Sequence, residues 1–278
     1  MELVEQVSVT QISSIMPHTY DAIAEQYDDH WTRHVHAQHE RLTTDLKLRS
    51  GELVVDIAAG AGVTVEMLKH THPAPGVAVD PSSAMLEKAR QRAAREGFAL
   101  TGLCTTAQEF LRDCDEGAFD VLSLRFGLAY IDWERDLPTL ARPVRKGSGR
   151  IGLLTNLATS APQALRTYHA FMDELGMEKA WPPVPRDTAQ IAALLEAGGV
   201  EVVSQWSERV RIWFDTGMLA ADWLTQSGYI ASKALDEFPP ELLAMLKPVF
   251  AKKLEDDYAV EGRVPFDFDI GGVVGVRR

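Results

Sequence analysis

The sequence is poor in cross-linking chemistry: it holds two cysteines, Cys104 and Cys114, in 278 residues. No C-x-x-C pair and no Cys/His zinc spacing occurs. No disulfide framework and no metal site is therefore expected, and the cysteine usage fits a reducing compartment. Positive charge is also scarce, with 28 lysines and arginines against 40 acids and a formal net charge of −12. An acidic surface repels phosphate, so nucleic acid is not an expected partner. Basic residues gather only locally, as between Arg142 and Arg150. No apolar run approaches the roughly 20 residues that cross a bilayer. The opening MELVEQVSVTQISS carries acids where a signal peptide needs basic and then apolar residues. The expectation is a cytoplasmic chain without integral membrane association, a monomer or homodimer.

What is present is an alternation. The hydrophobic fraction of 46% and charged fraction of 24% are those of an ordinary globular protein. LVVDI (53–57) reads as a buried strand, followed by small residues and a helix over 63–70. GVAVD (76–80) is a second strand, after which Pro81 opens a helix over Ser82 to Glu96. Further strands are expected at 99–104, 119–126, 149–157 and 200–214, with GGVVGVRR closing the chain as a short one. Helices are expected at 134–144, 161–176, 188–197 and, in pieces, 217–257, with a proline-rich break at 181–185. Strands alternating with helices predict a parallel sheet covered on both faces.

The chemistry-bearing stretch is Asp56-Ile57-Ala58-Ala59-Gly60-Ala61-Gly62. A bend of small residues lets the backbone approach a ligand, and the helix that follows offers free N–H groups. On its own, a purely structural bend would look the same. Asp80, ending the second strand, adds an acid placed to accept hydrogen bonds from a ribose diol. A dinucleotide site is disfavoured, because the third glycine of G-x-G-x-x-G is missing. Asp56 before the bend would also repel a pyrophosphate. An acid there suits an amine-bearing cation, and S-adenosylmethionine carries both a sulfonium and an ammonium.

VVDIAAGAG, VAVDPSSAMLEKAR, AFDVLSLRFGLAYI and LARPVRKGSGRI together resemble, in order and spacing, the motifs of class I S-adenosylmethionine-dependent methyltransferases. They look most like the branch that includes the ubiquinone/menaquinone-biosynthesis C-methyltransferases and small-molecule methyltransferases. The likeness covers about residues 50–155. It implies an α/β, doubly wound, mostly parallel seven-stranded Rossmann-like sheet, the last strand antiparallel, with helical lid additions. The expected division is a lid at 1–45, a core at 46–214, a substrate cap at 215–262 and a last core strand at 263–278.

The resemblance also implies roles. Asp56 would help hold the methionine ammonium, and Ala58, Gly60 and Gly62 would wall the methionine and ribose. Asp80 would grip the ribose diol, and Pro81 and Met85 would line the adenine. Thr106, Ala107 and Gln108 would meet the adenine edge. Arg125 would lie near the methionine carboxylate or the substrate, and Tyr27 would close over the cofactor. Ala58 replaces the usual first glycine, which the backbone accommodates if φ is negative. Thr106 replaces an Asp, and Lys146-Gly147-Ser148-Gly149 replaces a Pro-Gly-Gly exit.

Outside those motifs, His30, His34, His36 and His39 read as a solvated polar helix face rather than metal ligands. Tyr130, Trp133, Tyr168, Phe171, Trp181, Trp206, Trp213, Trp223 and Tyr229 divide between plain core and a pocket for an apolar or aromatic substrate. His169 is a candidate general base because imidazole titrates near neutrality; Asp173 and Glu174 are remoter ones. Tyr27 and His169 are the candidate catalytic residues. The expected function is methyl transfer from S-adenosylmethionine to C, O or N of a small apolar or aromatic metabolite in a biosynthetic pathway. The rivals are a methyltransferase-like enzyme that uses the bound cofactor for another reaction, such as cyclisation, and a non-catalytic cofactor-binding protein.

Overall fold

The structure, a computed structural model, describes residues 20–176, 183–229 and 240–278. Residues 1–19 of the expected lid, Trp181 and Pro182 of the proline-rich break, and 230–239 of the expected cap lie outside the described residues. The strands are β1 (Val54–Ile57), β2 (Gly76–Asp80), β3 (Leu100–Cys104), β4 (Val121–Arg125), β5 (Arg150–Asn156), β6 (Val200–Phe214) and β7 (Val264–Arg277). The helices are α1 (Tyr27–His30), α2 (His36–Asp45), α3 (Thr64–Thr71), α4 (Ser83–Arg95), α5 (Ala107–Asp113), α6 (Trp133–Asp136), α7 (Pro162–Leu175), α8 (Thr188–Ala197), α9 (Gly217–Gln226) and α10 (Pro240–Tyr258).

The seven strands form one sheet in the order β3-β2-β1-β4-β5-β7-β6. The first five are parallel, and β7 runs antiparallel to both β5 and β6. β1 and β4 are buried throughout, Asp56, Ser123 and Arg125 included, and so are covered on both faces, as central parallel strands are. From β1 the chain turns one way to β2 and then returns on the other side as β4. That reversal opens a crevice at the carboxyl ends of the strands, where ligands bind in such sheets. Residues 215–262, between β6 and β7, contain α9 and α10, which pack together.

Four local expectations are corrected. The helix expected over 134–144 is cut short: α6 ends at Asp136, a 3₁₀ turn spans Leu137–Thr139, and Pro138 and Pro143 interrupt helical hydrogen bonding. Pro81 precedes α4 rather than opening it. Ser82 is the N-cap, its hydroxyl accepting from the Met85 N–H at 3.1 Å. A helix at 107–113 was not expected, although Thr106-Ala107-Gln108-Glu109 is a complete capping box. The closing strand is 14 residues long, not the short GGVVGVRR. Asp267 and Asp269 disguised its first half. They face Arg211 and Arg209 across the β6 ladder and form two-pronged ion pairs with them.

The bend after β1 depends on close helix packing. Gly62 has φ +107°, and a Cβ there would lie 2.9 Å from the Ala89 Cα of α4. Gly62→Ala is therefore expected to lower the unfolding free energy by about 2–4 kcal/mol, from backbone strain plus overpacking. Urea denaturation with an unchanged m-value would register this; a loss under about 0.5 kcal/mol would show that the packing is not tight.

Candidate active site

The carboxyl ends of the four strands β1 to β4 converge on one cleft of about 790 Å³. Ala58 and Gly60 enter it from β1, Asp80 and Pro81 from β2, Thr106 to Gln108 from the segment after β3, and Arg125 to Gly127 from β4. Met85 of α4 and Tyr20, Tyr27, Tyr130 and Ile131 complete its walls. Ten of the twelve expected cofactor-binding residues thus line a single cleft: Tyr27, Ala58, Gly60, Asp80, Pro81, Met85, Thr106, Ala107, Gln108 and Arg125.

Asp56 lines an adjoining recess that also holds Ala58, Gly60, Arg125 and His39. Gly62 lines neither space; it serves the α4 contact instead. His169 sits half-buried on α7, beside the Tyr168 ring, and lines none of these cavities.

Asp80 is 8% exposed, and both carboxylate oxygens accept backbone N–H groups at 2.9 Å, from Gly60 and from Ser82. Burial nonetheless pushes its pKa up to about 6. Each oxygen keeps acceptor capacity toward the cleft. Asp56 is 1% exposed. One of its oxygens accepts the Thr64 hydroxyl at 2.7 Å, and the other, Oδ1, is buried without a hydrogen-bond partner. Burial raises this carboxyl too, while Arg125 opposes the shift.

Arg125 is itself buried. Its guanidinium donates to Ser123 at 2.8 Å and Thr43 at 3.0 Å and lies 3.4 Å from His39 Nδ1. Among the described residues neither Asp56 nor Arg125 forms a direct ion pair. His39 is buried against Arg125 rather than on a solvated face, and its pKa is driven well down by that burial and then by the neighbouring guanidinium.

Ala58 departs from expectation. Its φ is +55°, in the left-handed region, not negative. The bend needs this conformation to bring the Gly60 N–H onto Asp80. The methyl is accommodated because the facing residue is Gly127, where a Cβ would lie 2.7 Å from the Ala58 Cβ. Thr106 lines the cleft, but its hydroxyl is occupied in the α5 capping box.

For the roof, the sequence places Tyr27 over the cofactor and Tyr130 among the candidate pocket aromatics, but does not show Tyr20 as a site residue or its link to Tyr130. Tyr20 and Tyr130 are half-buried and share a 2.7 Å hydroxyl–hydroxyl hydrogen bond. Tyr20 also packs edge-on against Tyr27. The roof is tied to α4: Asp21 accepts from the Ser82 hydroxyl at 2.6 Å, and Lys88 donates to the carbonyls of Ala24 and Glu25. Tyr20, Tyr27, Phe126 and Tyr130 line the cleft on one side and a second chamber of about 670 Å³ on the other. That chamber is completed by Trp31, Thr155, Asn156, Leu157, Ser160, Ser227 and Tyr229, among others.

Of the aromatic residues noted in the sequence, Tyr130 and Tyr229 reach this chamber. Trp133, Tyr168, Phe171, Trp206 and Trp223 are core, and Trp213 is exposed between Arg211 and Arg263. Among the described residues no cluster of three His, Cys, Asp or Glu could hold a metal, and no helix is long and apolar enough to cross a membrane.

The contact between Ala58 and Gly127 is directly testable. Gly127→Ala is expected to cost about 1–3 kcal/mol of stability by overpacking. Ala58→Gly in the same chain should restore most of it, giving a favourable coupling in a double-mutant cycle read by urea denaturation. Additive effects would show that the two residues do not meet.

Comparison with known proteins agrees with this geometry. Residues 54–147 match a family model described as a methyltransferase domain. The chain is similar to a trans-aconitate 2-methyltransferase of Variovorax paradoxus, 25% identical over 251 residues that cover 86% of this chain and 90% of the relative. It is also similar to a ubiquinone/menaquinone biosynthesis C-methyltransferase of Methylococcus capsulatus, 28% identical over 49% of this chain and 57% of that protein. Among solved structures it shares its fold with the YcgJ protein of Bacillus subtilis, at a TM-score of 0.57 and 16% identity over 87% of this chain and 99% of that one. It also shares it with the geranyl diphosphate C-methyltransferase of Streptomyces coelicolor A3(2), solved with S-adenosyl-L-homocysteine, at a TM-score of 0.51 and 13% identity over 87% of this chain and 79% of that one. Residues 54–147 thus match a methyltransferase domain, and the chain has the fold of these solved structures, a geranyl diphosphate C-methyltransferase among them.

Proposed function

We propose that the chain transfers a methyl group from S-adenosylmethionine to C, O or N of a small apolar or aromatic metabolite, as a biosynthetic step. The observation that carries this reading is the pairing of two spaces across a tyrosine wall. On one side lies a cleft that holds the buried Asp80 carboxylate, with Asp56 in the recess adjoining it; on the other lies a chamber of mainly aromatic and small residues. The same reading assigns 1–45 and 215–262 as lid and cap over a core formed by 46–214 and 263–278.

The residues present fit the cofactor. The unpartnered Asp56 Oδ1 offers a buried acceptor for an ammonium. Asp80 can accept both hydroxyls of a ribose while Gly60 and Ser82 hold it in place. Val79, Pro81, Met85, Ala107 and Ile131 supply flat apolar walls for a purine. Arg125, buried beside Asp56, is placed to meet the amino-acid carboxylate. Bound there, S-adenosylmethionine supplies a methyl already made electrophilic by its sulfonium. The chain's own task is then to aim the acceptor and keep water out, which can supply much of the acceleration. Tyr20, Tyr27, Phe126 and Tyr130 stand between the two spaces, where aromatic rings can interact with positive charge. Burial raises the pKa of each of the three tyrosines, so they stay neutral hydroxyls.

The relatives' printed substrates suggest acceptor families without deciding among them. A trans-aconitate or a geranyl diphosphate is a polyanion, whereas the described walls of this chamber carry no cation.

Two outcomes test the proposal. The first is S-adenosylhomocysteine released in step with methylated product when the enzyme is offered small aromatic acceptors; product formed without consumption of the cofactor would contradict it. The second follows from Asp80. Its carboxyl titrates near pH 6, and the charged form is the better acceptor for hydroxyls. Affinity for S-adenosylhomocysteine should therefore hold above pH 6 and fall as the pH drops through that value. Asp80→Ala should weaken binding roughly 10- to 100-fold, the loss of hydrogen bonds to a charged group, and flatten the pH dependence. Calorimetric titration between pH 5 and 7.5 would check both, and an unchanged pH profile in the variant would count against the assignment.

A further inference from the structure

The chamber behind the tyrosine wall has a chemical character of its own. Its described lining includes no Lys, Arg, His, Asp or Glu. Its walls are Tyr20, Tyr27, Trp31, Phe126, Tyr130 and Tyr229, with small and polar uncharged residues between them. Most of those polar groups are already bonded within the chain. Thr155 donates to the Asn156 carbonyl, Ser160 donates to the Asp269 carbonyl, the Ser227 hydroxyl accepts from the Tyr229 N–H, and Tyr20 and Tyr130 bond each other. Asn156, the last residue of β5, is different: its side-chain Oδ1 is buried and has no hydrogen-bond partner.

A buried amide oxygen left unpaired costs free energy, so an asparagine that lines a ligand-sized space with its Oδ1 unpaired points to a partner on the ligand. An aromatic chamber without counter-charges is equally costly for an ion, because a desolvated charge needs pairing. Asn156 sits at the carboxyl end of β5, on the same side of the sheet as the cleft and across the tyrosine wall from it. A group held there is anchored beside the transfer site rather than remote from it.

We infer that the acceptor binds as an uncharged aromatic molecule and donates a hydrogen bond, from a phenolic O–H or an N–H, to Asn156 Oδ1. This rests on the proposed use of the adjoining cleft for the cofactor. It adds that Asn156 sets specificity and that the chamber discriminates against anionic acceptors.

The test uses full-length enzyme saturated with S-adenosylhomocysteine and three probes of one shape: 2-naphthol (neutral, with a donor), 2-methoxynaphthalene (neutral, without one) and 2-naphthoate (an anion). Calorimetry should show 2-naphthol binding about tenfold more tightly than either of the others, the discrimination expected when a buried acceptor is left unpaired. In Asn156→Leu the preference for 2-naphthol over 2-methoxynaphthalene should disappear, while affinity for S-adenosylhomocysteine, measured separately, stays as in the parent and shows that the variant is folded. Naphthoate binding as tightly as naphthol would overturn the inference. So would the absence of saturable naphthol binding, or a preference that survives in the Asn156 variant. Failure of S-adenosylhomocysteine itself to bind is a different result, which removes the cofactor reading beneath it.

Discussion

Burying a carboxylate without a counter-ion is unfavourable, and the end of this sheet buries two. Asp56 and Asp80 cap neighbouring parallel strands, and desolvation raises the pKa of both. The local backbone is shaped to make their burial tolerable. Asp80 is held by the N–H groups of Gly60 and Ser82, which requires the bend after β1 to turn sharply. That bend puts Ala58 and Gly60 in the left-handed region, brings Gly62 against α4, and needs a glycine at 127 to clear the Ala58 methyl. The hydrogen bonds compensate Asp80 in part and leave Asp56 Oδ1 without a hydrogen-bond partner, with the Arg125 charge nearby. In the proposed reading the remaining compensation comes from the ligand, so the features that strain the apo fold are those that select an amine-bearing nucleoside.

The second organising feature is how the roof is attached. The segment from Tyr20 to Glu25 docks on α4 through Asp21, which bonds the helix-capping Ser82, and through Lys88, which holds two carbonyls of the segment. The helix that contributes Met85 to the cleft therefore also anchors the segment that bears Tyr20.

Much of this was legible from sequence because it depends on local chemistry. Short β-branched runs ending in Asp56 and Asp80 gave the strands and the strand-end acids, and the small residues after Asp56 gave the bend. What escaped depends on partners distant in sequence. The first half of β7 carries Asp267 and Asp269, which look solvated until Arg211 and Arg209 appear opposite them. His39 looks like one of four surface histidines until α2 is seen packed over Arg125. The positive φ of Ala58 is tolerable only because Gly127, far along the chain, makes room. The tyrosine wall joins Tyr20 to Tyr130 across 110 positions, a juxtaposition no periodicity encodes. The α5 helix is the exception: its capping box is local, contained in Thr106-Ala107-Gln108-Glu109.

The most direct test of the paired-carboxylate account is a calorimetric comparison of S-adenosylhomocysteine with 5′-methylthioadenosine, which keeps the nucleoside and lacks the amino-acid arm. If Asp56 Oδ1 receives the ammonium, the full ligand binds at one site per chain and roughly 10- to 100-fold more tightly, the value of a charge-assisted contact in a buried setting. Equal affinities, or no heat from either compound with folded protein, would contradict the account.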